Sequence, residues 1–369
     1  MTESPRPQRG LDELLPYVPG KPIDEVKREY GLDDVIKLAS NESPFGASPA
    51  ALAAMAAALS NVHLYPDGQS YHLRQALAAR FDLPFERIAV GNGADDLILQ
   101  LSMAYLEDGD EVVVSRSSFG MYDVYVHAMR STLVKTPLAP DYRIDLDAAA
   151  DAITDRTKIV YVCNPNNPTG TISTAAEVDR LLARLPDRVL CVMDEAYCEM
   201  VESDDYPDGL AVVRTGRPNV LVLRTCSKVY GLAGIRLGYA FGHENTIAAL
   251  AKIKPPFTVN SLAQAAGIAA LQDEEFVRRS IAANRAGRRQ LCDGFDRLGL
   301  EHAESHTNFV LVKIGPNALD VVEGLLRRGI IVRPMTAYEL PDFVRISIGT
   351  PEQIERLLGT LEDLLSRDV

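Results

Sequence analysis

The stretch Val220-Leu-Val-Leu-Arg-Thr-Cys-Ser-Lys228-Val-Tyr-Gly-Leu-Ala-Gly-Ile-Arg236-Leu-Gly-Tyr-Ala-Phe241 decides how the chain is read. An apolar run, Val220 to Leu223, ends in a short polar loop that holds one lysine. Two glycines and an arginine follow, and then a second apolar run, Leu237 to Phe241. Neither run alternates polar with apolar residues, which is the pattern of strands covered on both faces. A lysine at the end of such a strand can reach into a cleft, where its amine can attack a carbonyl carbon. Thr225, Ser227 and Arg236 offer hydroxyls and a guanidinium suited to a phosphate. Taken alone, Lys228 fits equally well an exposed residue in a Gly-rich loop.

Upstream, strands and helices take turns. Strands are predicted over Ile88 to Val90, Glu111 to Ser115, Lys158 to Cys163 and Val189 to Met193. Helices are predicted from Pro49 to Leu59, capped by Ser48, and over Tyr71 to Phe81 and Ala94 to Tyr105. Thr174 and Glu177 form a capping-box pattern that opens another helix, ending at Leu185. Strands alternating with helices at this spacing imply a mostly parallel α/β sheet. After Lys254-Pro255-Pro256 the pattern changes to long helices, about Ser261 to Leu271 and Glu274 to Leu298. Two strand-like runs (Phe309 to Ile314 and Phe343 to Ile348), a helix over Ala318 to Arg328 and a last helix from Pro351 complete a smaller α+β unit. The expected division is an arm with part of the small domain in 1–44, a large domain in 45–256 and a small domain in 257–369.

Composition narrows the functional classes. The 369 residues carry 51 acidic and 38 basic side chains, a formal charge of -13, which disfavours nucleic acid and anionic membranes as partners. A regulator with a basic DNA-binding module therefore does not fit. Pro49 to Leu59, the longest bland apolar stretch, is too short to cross a bilayer, and Met1 to Gly10 is polar with no signal core, so a cytoplasmic protein is expected. The five cysteines (Cys163, Cys191, Cys198, Cys226 and Cys292) show no C-x-x-C spacing and read as reduced thiols. The six histidines show no metal-ligand spacing, and no Gly-x-Ser-x-Gly motif is present.

Three further motifs carry chemistry. Asp194-Glu-Ala-Tyr197 follows the apolar run Val189 to Met193, and a carboxylate there needs a partner to offset burial. A protonated pyridine nitrogen would be one, and an ordinary strand-end acid is the other reading. Asn164-Pro-Asn-Asn167-Pro-Thr-Gly170 makes a rigid turn after another strand, from which Asn167 can donate a hydrogen bond. Gly91-Asn-Gly-Ala94-Asp95 joins a strand to a helix start, where backbone N–H groups suit phosphate.

In their order and spacing these motifs resemble fold-type I pyridoxal-phosphate (PLP) aminotransferases, and within them the histidinol-phosphate aminotransferase branch. The similarity extends to Lys37-Leu-Ala-Ser-Asn41-Glu-Ser-Pro-Phe-Gly46, Tyr65-Pro-Asp67 and Val344-Arg345-Ile-Ser-Ile-Gly-Thr350. The resemblance implies a PLP-transferase-like fold with PLP carried covalently on Lys228, which also moves the substrate's Cα proton. It implies that Asp194 pairs with the pyridine nitrogen and that Asn167 and Tyr197 contact the ring oxygen. Ala94, Asp95, Ser227 and Arg236, with Thr225 beside them, would hold the phosphate. Phe119 would stack on the ring, where many members of the branch have tyrosine. Tyr65 would reach the phosphate of a neighbouring subunit, which implies a homodimer. Arg345 and Arg333 would grip substrate anions and Tyr17 would line the substrate pocket. The implied reaction is transamination from histidinol phosphate to 2-oxoglutarate in histidine biosynthesis. An aromatic aminotransferase and an amino-acid-phosphate decarboxylase of the same fold are the alternatives.

Overall fold

The computed structural model describes residues 5–11, 14, 16 and 20–366. The runs free of polar alternation pair into one seven-stranded sheet. Numbering strands along the chain, it contains β2 (Ile88–Gly91), β3 (Glu111–Ser115), β4 (Thr132–Thr136), β5 (Thr157–Cys163), β6 (Leu190–Asp194), β7 (Val220–Thr225) and β8 (Gly238–Gly242). β1 (Ile36–Lys37) lies elsewhere. The order across the sheet is β2-β8-β7-β6-β5-β3-β4, and only β8 runs against its neighbours. Residues of β3 and β6 are buried throughout, as strands sandwiched between helices must be.

This topology decides where chemistry can sit. β5, β6 and β7 are parallel neighbours, with Cys163 paired to Asp194 and Asp194 to Leu223. The loops leaving these three strands therefore emerge together at the carboxyl edge of the sheet, the usual place for a ligand in such folds. They are the loops that carry Asn167, Asp194-Tyr197 and Lys228.

A second body is built on β9 (Phe309–Lys313), β11 (Arg333–Pro334) and β12 (Phe343–Ser347), paired antiparallel in the order β11-β12-β9. β1 pairs in parallel with β10 (Ile330–Ile331), and Ile36 and Leu38 are buried in the core of this body. Part of the early chain thus packs in the core of this body.

The residues on either side of the boundary expected at 256 pack into the same core. Helix Ser261–Gln272 buries Ala263, Ala266, Ala270 and Leu271 in the large core. The next helix, Glu274–Arg297, packs Val277 and Ile281 against the large core and Leu291 and Phe295 into the small one. The Pro255-Pro256 pair marks a turn between two helices of one core rather than a seam between domains.

Most elements lie where local signals put them. Tyr71–Phe81 and Ala94–Tyr105 are helices with those bounds, and the Thr174–Glu177 capping box forms. Helix Pro49–Ala58 is capped by the Ser48 side chain on Ala51 N and passes into a tighter turn over Leu59–Asn61. β4 and the helices Met121–Ala128, Leu146–Asp151, Gly209–Arg214 and Glu244–Ile253 were not among the expected elements. No helix among the described residues is long and apolar enough to cross a membrane.

Candidate active site

A cavity of about 400 Å³ opens at the carboxyl edge of the large sheet and is closed on its far side by the small domain. Ala94, Asp95, Phe119, Asn167, Asp194, Tyr197, Thr225, Ser227, Lys228, Arg236, Arg333 and Arg345 all line it. One expected residue among those described is not brought in. Tyr65 is 83% exposed and stacks on Phe257 with ring centroids 4.6 Å apart, outside the cavity. Tyr17 lies outside the described residues.

Lys228 stands three residues beyond the end of β7, in the loop before β8. Its Nζ lies 3.5 Å from the Asn41 carbonyl and 5.3 Å from the centre of the Tyr197 ring. Burial, and then the guanidinium of Arg345, lower its pKa from the ordinary lysine value to about 8. A much larger share of the amine is therefore neutral near pH 7 than for a free lysine, and only the neutral form attacks carbonyls.

Asp194 ends β6 and is 4% exposed. Its Oδ2 accepts a hydrogen bond of 2.6 Å from the Tyr122 hydroxyl, and its Oδ1 accepts from Ala196 N at 3.2 Å. Burial raises its carboxyl above the usual range, against the pull of these two donors. A cation set against this carboxylate would reverse the shift, which is what a protonated pyridine nitrogen offers. Tyr197, also buried, has its phenol pushed up by desolvation, and its hydroxyl oxygen accepts from Asn41 Nδ2 at 3.0 Å. Asn167 Oδ1 accepts from Arg345 Nη1, so the donor end of that amide is what it has left to offer the cavity.

At the other end, helix Ala94–Tyr105 begins on Gly93, whose φ of 89° suits glycine alone. A Cβ there would lie 2.5 Å from Arg236 Nη2, so the missing side chain lets the guanidinium lie against the helix start. Gly238 permits a second close approach, since its Cβ would fall 2.1 Å from Ala94 N. The first-turn N–H groups, the Arg236 guanidinium and the Ser227 hydroxyl thus converge, as an anion site requires. Asp95 directs Oδ2 to the Tyr125 hydroxyl at 3.0 Å and keeps a buried Oδ1 without a partner; burial raises its pKa. Thr225 spends its hydroxyl on the loop itself, at Ser227 Oγ and the Leu237 carbonyl, and accepts from Ser227 N.

Arg333 and Arg345 are register partners across β11 and β12, so their side chains rise from the same face of the sheet. Arg345 is 6% exposed and also donates to the Ala39 carbonyl at 2.9 Å. No cluster of metal-ligating side chains occurs among the described residues, and all five cysteines are free thiols.

Residues 33–361 match the family described as Aminotransferase class I and II. This chain belongs to that family. The aminotransferase is 44% identical over 362 residues to the histidinol-phosphate aminotransferase of Moorella thermoacetica, covering 98% of this chain and 94% of that protein. It is 46% identical over 353 residues to the enzyme of the same name from Anaeromyxobacter, covering 95% and 97% respectively. Among solved structures, the histidinol-phosphate aminotransferase of Sinorhizobium meliloti in complex with pyridoxal-5'-phosphate superposes over the whole of both chains with a TM-score of 0.91 and 30% identity. PLP is the cofactor of this family, and the cavity of the aminotransferase fits it: a buried carboxylate, a lysine of lowered pKa and an anion cradle line one space.

Two contributors escaped the sequence reading of the site. They are Asn41, which the sequence offers only within a family motif, and Tyr122. Tyr122 stacks on Tyr161 with centroids 4.2 Å apart and holds Asp194. Its signal was the aromatic spacing Phe119–Tyr122, which alone does not say which carboxylate lies above it.

Proposed function

We propose that this aminotransferase moves the amino group of histidinol phosphate to 2-oxoglutarate, using PLP, as a cytoplasmic homodimer. The observation that carries the substrate is the Arg333–Arg345 pair on one sheet face, lining the same cavity as Lys228. A guanidinium fork matches phosphate and carboxylate alike. Histidinol phosphate presents a phosphate and no carboxylate, whereas glutamate presents two carboxylates, and one pair of forks serves both in turn. The names of the related proteins point the same way.

When bound, PLP supplies a carbonyl carbon for the amine and a ring that takes up the electron pair left when the Cα proton departs. Lys228 would be the residue that holds the cofactor, and its Nζ would be the base that moves the substrate's Cα proton. Asp194 would pair with the ring nitrogen, whose positive charge would favour the carboxylate form of this buried acid. Tyr197 and Asn167 donate to the ring oxygen, and Phe119 covers the ring face. The backbone amides of Ala94 and Asp95, with Ser227, Arg236 and the adjacent Thr225, hold the phosphate.

Tyr65 belongs in the site of a second copy. Leu52, Leu59, Val62, Leu64 and Tyr65 are all exposed within one stretch of chain, with Phe257 against Tyr65. An apolar surface of this kind is what an isologous interface covers. Sedimentation should show a dimer, and a monomer with full activity would refute this part.

The ratio of kcat/KM for histidinol phosphate over phenylalanine, each with 2-oxoglutarate, tests the substrate. We expect at least about 100-fold in favour of the phosphate, because a site built for a charged group rejects a substrate lacking it. A ratio near one would make the protein an aromatic aminotransferase. Release of carbon dioxide without need of a keto acid would make it a decarboxylase.

A further inference from the structure

Asn41 sits at the point where the early chain, the small domain and the large domain meet. It is 2% exposed and adopts φ 55°, in the left-handed region that asparagine tolerates better than most residues. Four contacts fix it, besides the Lys228 Nζ at its carbonyl. Its N–H donates to Ser347 Oγ at 2.8 Å, and Ser347 Oγ lies 3.0 Å from its Oδ1. Its carbonyl accepts from Asn308 Nδ2 at 2.8 Å. Its Nδ2 lies 3.0 Å from the Tyr197 hydroxyl.

The bonds run in one direction. Ser347 Oγ takes the Asn41 N–H and gives its single hydrogen to Asn41 Oδ1. With Oδ1 turned to Ser347, the NH₂ end of the amide faces Tyr197. The Tyr197 oxygen is then an acceptor toward Asn41, and its own hydrogen must point elsewhere. Among the described residues no protein acceptor takes it, and Tyr197 lines the cavity.

We propose that Asn41 is a positioning residue, which turns the Tyr197 O–H toward the cofactor's ring oxygen and is itself held by Ser347 of the small domain. The inference rests on the PLP reading given above. It ties the hydrogen-bonding state of a large-domain tyrosine to β12, the strand that also carries Arg345. Residues 345 and 347 lie on the same face of that strand, so one rigid element places the anion grip and the orienting serine.

The test is the pH midpoint of the visible absorbance band of the PLP-loaded enzyme, read without substrate. A hydrogen bond donated to the ring oxygen stabilises its anionic form, so losing the bond makes the oxygen hold a proton to higher pH. Asn41→Gly keeps the left-handed backbone open and removes only the side chain. It should raise the midpoint by about half a pH unit, through loss of an orienting hydrogen bond. Asn41→Asp presents an acceptor to Tyr197 and draws its hydrogen away, and should raise the midpoint by about one unit or more. Ser347→Ala should move it in the same direction and by less than Asn41→Asp. In a Tyr197→Phe background Asn41→Gly should change nothing. An unmoved midpoint in both Asn41 variants overturns the inference, and so does an equal shift in the Tyr197→Phe background. A wild-type protein with no Lys228-dependent band would instead overturn the PLP reading on which the inference stands.

Discussion

On the large-sheet side of the cavity, Asp194, Asn167 and Lys228 follow directly on three neighbouring parallel strands, and each is anchored by its own backbone or by a buried neighbour. On the opposite side, Arg333 and Arg345 stand on a short antiparallel sheet whose core is separate from the large one. The first side has a buried carboxylate and a buried lysine, and the second has two arginines that suit an incoming anion. The difference separates two tasks: a fixed floor that holds one cofactor through every turnover, and a wall that must bind chemically different substrates in alternation.

Substitutions on the floor should therefore reduce kcat, and substitutions on the wall should act mainly through kcat/KM. Lys228→Ala is expected to have the largest effect, a fall in kcat of about 10⁴-fold or more with loss of the visible band; normal turnover would break the division at once. Asp194→Asn keeps the shape and removes the charge, and should lower kcat by about 10²–10³-fold while PLP still binds. Arg345→Ala should lower kcat/KM for both the amino donor and the keto acceptor by about 10²-fold, since a buried charge-assisted bond is lost. Arg333→Ala should cost both substrates about tenfold, and a loss confined to one substrate would show that the two arginines do not alternate as a pair.

The floor also predicts a pH dependence. The Lys228 pKa is lowered to about 8, so the neutral, reactive amine of the cofactor-free protein grows as pH rises through that value. The rate of recombination with PLP should climb between about pH 7 and 9 and then level off. The same shift means that the unfolded chain binds more protons than the folded one between about pH 8 and the ordinary lysine value. This group alone thus makes the cofactor-free fold more stable as pH rises through that window. Arg345→Ala should move the recombination profile upward, because the guanidinium is one of the causes of the shift.

The floor was far more legible in the sequence than the wall's connections. β3, β6 and β7 announce themselves because both faces are buried and polar residues drop out, and a residue at the end of such a strand has only one place to go. The helices Tyr71–Phe81 and Ala94–Tyr105 were readable from local pattern alone. β4 was not, since it is an edge strand with half-exposed and exposed residues. Met121–Ala128 was missed because tyrosine, valine and histidine are weak helix formers and its start lacks a side-chain cap. The prolines at 255 and 256 were legible as a break, but a break in the chain does not say which core the next helix joins. Asn41 was opaque for a related reason: its partners Ser347 and Tyr197 lie 306 and 156 positions away, and nothing in its neighbourhood encodes those distances.

The helix Glu274–Arg297 links floor to wall. Its first half is clamped by one core through Val277 and Ile281 and its second by the other through Leu291 and Phe295. Gly287 lies between the two clamps, where a Cβ would press into Ile348 at 2.5 Å, so the spot is tightly packed although glycine is a poor helix former. A single 24-residue rod thus works as an axle running through both bodies. The strand that bears Arg345 and Ser347 belongs to the body on the far end of that axle, so the anion grip and the serine that holds Asn41 share one mounting.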